Sequence, residues 1–257
     1  MLAEDALQGR GDWVTNWKQL TSFLLDLLFP PRSRCAFCGR VMAEAEPGLV
    51  CHACQAAASH PAGGICPRCG RPVQGENACT ACQDMPWAFS QARSIGPYDG
   101  ELRHAIHRLK FRGQRDVSRA LAELLYKAID AAWWQEIDSI VPVPLHAERL
   151  QQRGFNQAEQ LAYQLALLAG RPMRQLLVRR TFVASQTGLG QQQRRQNVRG
   201  AFQAAPGQER QIVGQRLLLV DDVLTTGSTL DECARVLLQA GAREVRAATA
   251  AITNIRD

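Results

Sequence analysis

The chain has 257 residues, 46% hydrophobic and 21% charged, a composition that fits a folded globular protein and excludes a disordered or collagen-like one. Its formal net charge is +6, from 30 basic and 24 acidic residues. No apolar run approaches the roughly 20 residues that span a bilayer, so an integral membrane protein is not expected.

Residues 1–31 carry Trp13, Trp17, Leu20, Leu24 and Leu27 at spacings of three and four, the stripe of an amphipathic helix that Pro30 and Pro31 would end. The stripe lacks the basic opposite face of a membrane-surface helix, so packing on the rest of the protein is expected. The apolar run Ser22–Phe29 is cut by Asp26 and has neither a basic flank nor a small-residue cleavage site. A secretory signal is therefore not expected, and a reducing, cytoplasmic location is.

Residues 32–84 form a second segment, rich in cysteine, glycine and proline. Eight of the nine cysteines lie here as four Cys-x-x-Cys pairs: Cys35/Cys38, Cys51/Cys54, Cys66/Cys69 and Cys79/Cys82. A two-residue gap lets both thiolates of a knuckle reach one tetrahedral ion, and two knuckles complete a four-thiolate site. Four knuckles therefore predict two structural zinc ions in a double zinc ribbon. Sequential and cross-braced pairings both satisfy the spacing. Gly39 and Gly70 each follow a knuckle, where the turn favours a residue without Cβ. His52 and His60 are expected to be structural, because the thiolates already fill both sites.

Residues 85–257 alternate helical and β-like patterns. Leu102–Leu109 and Val117–Ala132 read as helices and Ile137–Leu145 as a buried strand. They are followed by a helix over Asn156–Ala169, a strand over Arg216–Val220, a helix over Thr229–Ala240 and a strand over Val245–Ile252. That order predicts an α/β domain with a parallel sheet and flanking helices. Thr181–Ala205 has no period and reads as a long loop or hood. From Ala147 to Gly200 the chain carries nine arginines against two acids, a local surplus of +7. Such a concentration favours a polyanionic partner.

The most specific signal begins with the apolar run Leu217–Val220, which would deliver Asp221 and Asp222 to the carboxyl edge of the sheet, where open α/β folds bind ligands. Thr225, Thr226, Gly227, Ser228 and Thr229 follow and lead into a helix. A hydroxyl-rich loop entering a helix N-terminus offers a phosphate N–H groups, hydroxyls and a favourable dipole. Adjacent carboxylates beside it suit a ribose diol, directly or through Mg²⁺.

The sequence Val220–Thr229 resembles the phosphoribosyl pyrophosphate (PRPP) motif of type I phosphoribosyltransferases. The resemblance implies that Asp221 and Asp222 are the catalytic pair, holding the ribose hydroxyls with Mg²⁺, while Thr225–Thr229 wraps the 5′-phosphate. The cysteine knuckles, Leu109–Gly113, Val141–Leu145, Arg153–Gln157 and Arg195–Phe202 together resemble the ComF family, associated with natural competence and use of external DNA. It implies a role beside DNA-uptake machinery at the inner membrane, with single-stranded DNA as the expected partner of the arginine-rich region. By the same analogy His146, Arg149 and Arg153 would face pyrophosphate. Gln186, Thr187, Arg194 and Arg195 would close over the ligand from the hood. Lys110 either lines this cleft or ends a surface helix. The rival readings are an active nucleotide-salvage phosphoribosyltransferase and a non-catalytic PRPP sensor.

Overall fold

The computed structural model describes residues 34–43, 48–60, 63–74, 78–83, 85–180 and 198–253. The expected N-terminal helix and the hood residues Gln186, Thr187, Arg194 and Arg195 lie outside these.

The cysteine segment builds the same unit twice. In the first, Cys35 and Cys38 sit in a turn closed by a bridge between Arg34 and Val41, and Cys51 and Cys54 lie at the start of α1 (His52–Ala58). In the second, Cys66 and Cys69 lie between the antiparallel strands β1 (Gly64–Ile65) and β2 (Pro72–Val73), and Cys79 and Cys82 flank and enter α2 (Thr80–Gln83). Gly39 and Gly70 each follow the first knuckle at φ +75, the left-handed turn the sequence anticipates.

The remainder contains β3 (Ala92–Pro97), α3 (Gly100–Arg112), α4 (Arg115–Ala128), α5 (Ala131–Glu136), β4 (Ser139–Pro142), α6 (Ala147–Arg153) and α7 (Gln157–Ala169). It continues with β5 (Leu177–Arg179), β6 (Phe202–Ala204), β7 (Arg216–Leu224), α8 (Ser228–Gln239) and β8 (Glu244–Ile252). Four strands form a parallel sheet in the order β3-β8-β7-β4, and β5 and β6 form a separate antiparallel pair at the root of the long loop. The expected parallel α/β sheet is present. Phe202–Ala204, expected within the loop, is strand.

Side chains alternate across β7. Leu218 and Val220 join a core with α3, α4 and α7, whereas Leu217 and Leu219 join a core with α8 on the other face. Each cysteine unit belongs to one of these cores. Cys35, Cys51 and Cys54 pack with the first, and Cys66, Cys69 and Cys82 with the second. Contacts fix both units in place. Arg108 of α3 donates to the carbonyls of Ala36 and Phe37, and a Cβ on Gly96 of β3 would collide with the Ala58 carbonyl. On the other unit, Ala92 donates its amide to the Arg68 carbonyl at 2.6 Å, and Arg93 reaches the Pro67 carbonyl at 3.1 Å.

Three expectations need correction. The helix expected over 117–132 is interrupted, because Ile129 is extended and buried and Asp130 turns to meet Arg93 at 3.0 Å. The strand expected to stop at Val220 runs on through both acids to Leu224, with Val223 and Leu224 paired to Ala251 and Ile252. The strand expected over 137–145 is confined to Ser139–Pro142.

Candidate functional site

The two acids stand near the C-terminal end of β7 with different surroundings. Asp222 is 6% exposed and held from two sides: Lys110 Nζ lies 3.2 Å from Oδ1, and Gln157 Nε2 donates to Oδ2 at 2.8 Å. A buried carboxylate needs such partners, since leaving it uncompensated would cost several kcal/mol, about 3–5. Asp221 accepts the Asp222 amide at 2.8 Å. Burial first, and then the charge of Asp222, raises its carboxyl from the ordinary 3.8 to about 7. The positive charges of Lys110 and Arg179 oppose this rise, and burial lowers the pKa of Arg179 itself.

Two helices supply the partners of Asp222. The last turn of α3 presents Lys110, and Gln157 is the first residue of α7. Asn156 caps α7 by accepting the Ala158 amide at 3.1 Å and donates its own amide to the Val143 carbonyl at 3.0 Å. This ties the helix start to the end of β4. Arg153 lies over the Phe111 ring at 5.3 Å and donates to Gln157 at 3.0 Å. The segments 109–113 and 153–157 are therefore one structural unit, linked Arg153–Gln157–Asp222–Lys110.

After β7 the chain turns through Thr225 and Thr226 to Gly227, at φ +84, and enters α8 at Ser228. A side chain at Gly227 would meet the Trp87 ring at 2.8 Å, so both the backbone and the space exclude one. Thr226 Oγ1 and Ser228 Oγ lie 3.0 Å apart, and the Ser228 amide points at Thr226 Oγ1 at 3.4 Å. Two hydroxyls, the loop amides and a helix N-terminus therefore follow Asp221 and Asp222 directly after the end of β7.

The other expected contacts divide. Arg153 is joined to Asp222 through Gln157. His146 caps α6, accepting the Glu148 amide on Nδ1 at 3.4 Å, and Arg149 is exposed on α6 near Arg179. Gln157 and Arg179 received no role from the sequence; Gln157 lies in the quoted Arg153–Gln157 segment, and Arg179 is one of the nine clustered arginines. A separate cleft of about 620 Å³ is lined by Arg115, Leu150, Phe155, Tyr163 and Met173 among others, and by neither acid.

The cysteines resolve the pairing as sequential. Cys35, Cys38, Cys51 and Cys54 form one group and Cys66, Cys69, Cys79 and Cys82 the other, with all sulfurs of a group within 4.8 Å of one another. Cys38 and Cys51 sulfurs are 3.9 Å apart, Cys69 and Cys79 3.5 Å. Sulfurs bound at about 2.3 Å around a tetrahedral ion would be roughly 3.8 Å apart. Backbone amides point at Cys35 from Phe37 and Cys51, and at Cys66 from Cys79, each at 3.4 Å. Both groups fit a structural zinc ion. His60 is no ligand; its Nε2 lies 3.1 Å from the Ser94 carbonyl.

A family model described as a double zinc ribbon domain matches residues 24–83, and one described as a phosphoribosyl transferase domain matches residues 113–256. The "Competence protein F" of Haemophilus influenzae is 36% identical over 220 residues, covering 83% of this chain and 94% of that protein. The chain belongs to the ComF family. Other relatives include the "DNA utilization protein YhgH" of Salmonella typhimurium, 35% identical over 71% of this chain and 81% of that protein. The "Competence protein ComFC" of Bacillus subtilis is 29% identical over 75% and 79%. Within the ComF frame, both cysteine groups have the geometry their motifs imply. Among the described residues, no helix is long and apolar enough to cross a membrane.

Proposed function

We infer that this chain binds PRPP with Mg²⁺ at Asp221, Asp222 and the loop Thr225–Thr229, and acts in the use of incoming DNA, as the names of its relatives suggest for those proteins. The observation that carries the reading is the junction of the acidic pair with a glycine-hinged hydroxyl loop at a helix N-terminus. Mg²⁺ would be held through the acids and the ligand's own oxygens, and it would offset the pyrophosphate charge. The protein's part is positional: Asp221 and Asp222 accept from the ribose hydroxyls, and the amides and hydroxyls of 225–229 receive the 5′-phosphate. Lys110 and Gln157 hold the Asp222 carboxylate in place. Calorimetry tests this with Asp221→Asn combined with Asp222→Asn. Each lost charge-assisted contact should cost about 1.5–3 kcal/mol, so affinity should fall at least tenfold. Equal affinity would move the site elsewhere.

The arginine-rich region is the proposed site for single-stranded DNA. The cleft bearing Phe155, Tyr163 and Arg115 supports this, because aromatic faces and guanidinium groups accept unpaired bases. If about four arginines engage phosphates, log K should fall against log salt with a slope near −3, from the single-strand value of about −0.7 per phosphate. Arg194→Ala with Arg195→Ala should flatten the slope. A wild-type slope near zero removes DNA from the account. Release of pyrophosphate with any of a panel of bases would favour the salvage enzyme instead.

A further inference from the structure

The second cysteine group reaches the 225–231 segment by two routes. Arg71, 5% exposed, points one guanidinium nitrogen at the Cys69 sulfur at 3.5 Å and donates from another to the Thr225 carbonyl at 2.5 Å. Its Nε reaches the Thr253 carbonyl, just past β8, at 3.3 Å. Trp87 donates its indole N–H to the Cys82 sulfur at 3.2 Å, and its ring lies against Gly227, with the Gly227→Trp87 spacing too small for a Cβ. The backbone around Trp87 is clamped as well. Arg68, inside the Cys66–Cys69 knuckle, donates to the Trp87 carbonyl at 2.8 Å, and Asp231 in the first turn of α8 accepts the Ala88 amide at 2.7 Å. The first cysteine group is anchored elsewhere, on Arg108 of α3 and on β3.

We propose that Arg71 and Trp87 are positioning residues through which the second zinc ribbon sets the shape of the phosphate loop. Site occupancy there, and not at the first ribbon, would then govern ligand affinity; this rests on the PRPP reading above. The physical reason lies in the partners. A guanidinium buried this deeply must keep all its acceptors, and its rigid fork links a metal-bound thiolate to a loop carbonyl with little slack. Fixing the Thr225 carbonyl orients the peptide that opens the loop, and the Trp87 ring closes the space beneath Gly227. A knuckle without its ion would lose the fixed position of Cys69 and Cys82, and the loop would lose both supports. The first ribbon can loosen without either.

Hydrogen exchange of the peptide covering 225–231, read beside Mg²⁺–PRPP calorimetry and zinc content, tests the idea on the full chain. Arg71→Met should retain two zinc ions, exchange faster in 225–231 and bind PRPP about tenfold more weakly. Arg71→Lys, which keeps the charge but cannot reach every acceptor, should recover part of both losses. Arg108→Met should speed exchange in 36–54 while leaving 225–231 and the affinity unchanged. Should Arg71→Met shed zinc, Trp87→Phe decides by the same two readouts. Wild-type exchange and affinity in the folded, zinc-loaded variants would overturn the inference. Absence of PRPP binding by the wild type would end the ligand reading alone, since exchange of the loop still reports on the brace.

Discussion

Asp221 and Asp222 are chemically identical neighbours that the fold makes unlike. Alternation along β7 sends one toward α3 and α7, where Lys110 and Gln157 meet it, and the other toward Arg179 and the buried Cys233, whose thiol burial pushes well up. Asp221 therefore holds its proton to about 7, whereas in the unfolded chain it loses it near the ordinary 3.8. The folded state binds more protons between these values, so the contribution of Asp221 to stability is complete below about pH 4 and is lost as pH rises through 7. Asp221→Asn should flatten the fall in urea midpoint across that window. A wild-type midpoint that does not decline more steeply than the variant's would contradict it. Ligand affinity at Asp221 should rise over the same range, because the ribose diol requires the ionised form.

At the scale of elements, helix termini deliver the site. The start of α7 brings Gln157 to Asp222, the end of α3 brings Lys110, and the start of α8 follows the turn Thr225–Gly227. Asn156 secures the first through its cap and its bond to Val143. Asn156→Ala should cost about 0.5–2 kcal/mol of stability for the cap, with the lost bond to the strand adding to it. It should also weaken PRPP binding, because Gln157 is then less firmly held. A thermal midpoint within error of wild type would show that α7 is held mainly by its buried leucines. Gly227→Val should do more harm to binding, since the left-handed conformation alone costs about 1–2 kcal/mol for such a residue and Trp87 occupies the space.

Across the whole molecule, the sheet separates two cores and each contains one cysteine group. The ribbons are thus packed into the α/β body on opposite faces. Metal analysis after purification without added zinc should give close to two ions per chain. Because metal binding by four thiolates is linked to folding, Cys66→Ser should lower the zinc content by one and destabilise the face bearing α8 and Phe202. Retention of two ions would contradict the assignment.

Much of this was determined by local sequence. Knuckle spacing implied two four-thiolate sites, and the order of apolar runs implied a parallel sheet. The run of acids, hydroxyls and Gly227 implied a loop at a helix start, since each depends on neighbours a few residues apart. Tertiary contacts decided the rest. Strand β3 was hidden because Arg93 and Ser94 break its apolar pattern, yet Arg93 is neutralised by Asp130 and lies over Trp133. Strand β7 outran its expected end because Lys110 and Gln157 compensate the charge of Asp222 within the sheet. The role of Gln157 and the brace of Arg71 and Trp87 depend on partners far away in the chain, Thr225 lying 154 residues from Arg71. Spacing fixes what a short segment can do, but only packing decides which distant charge, carbonyl or ring stands opposite it.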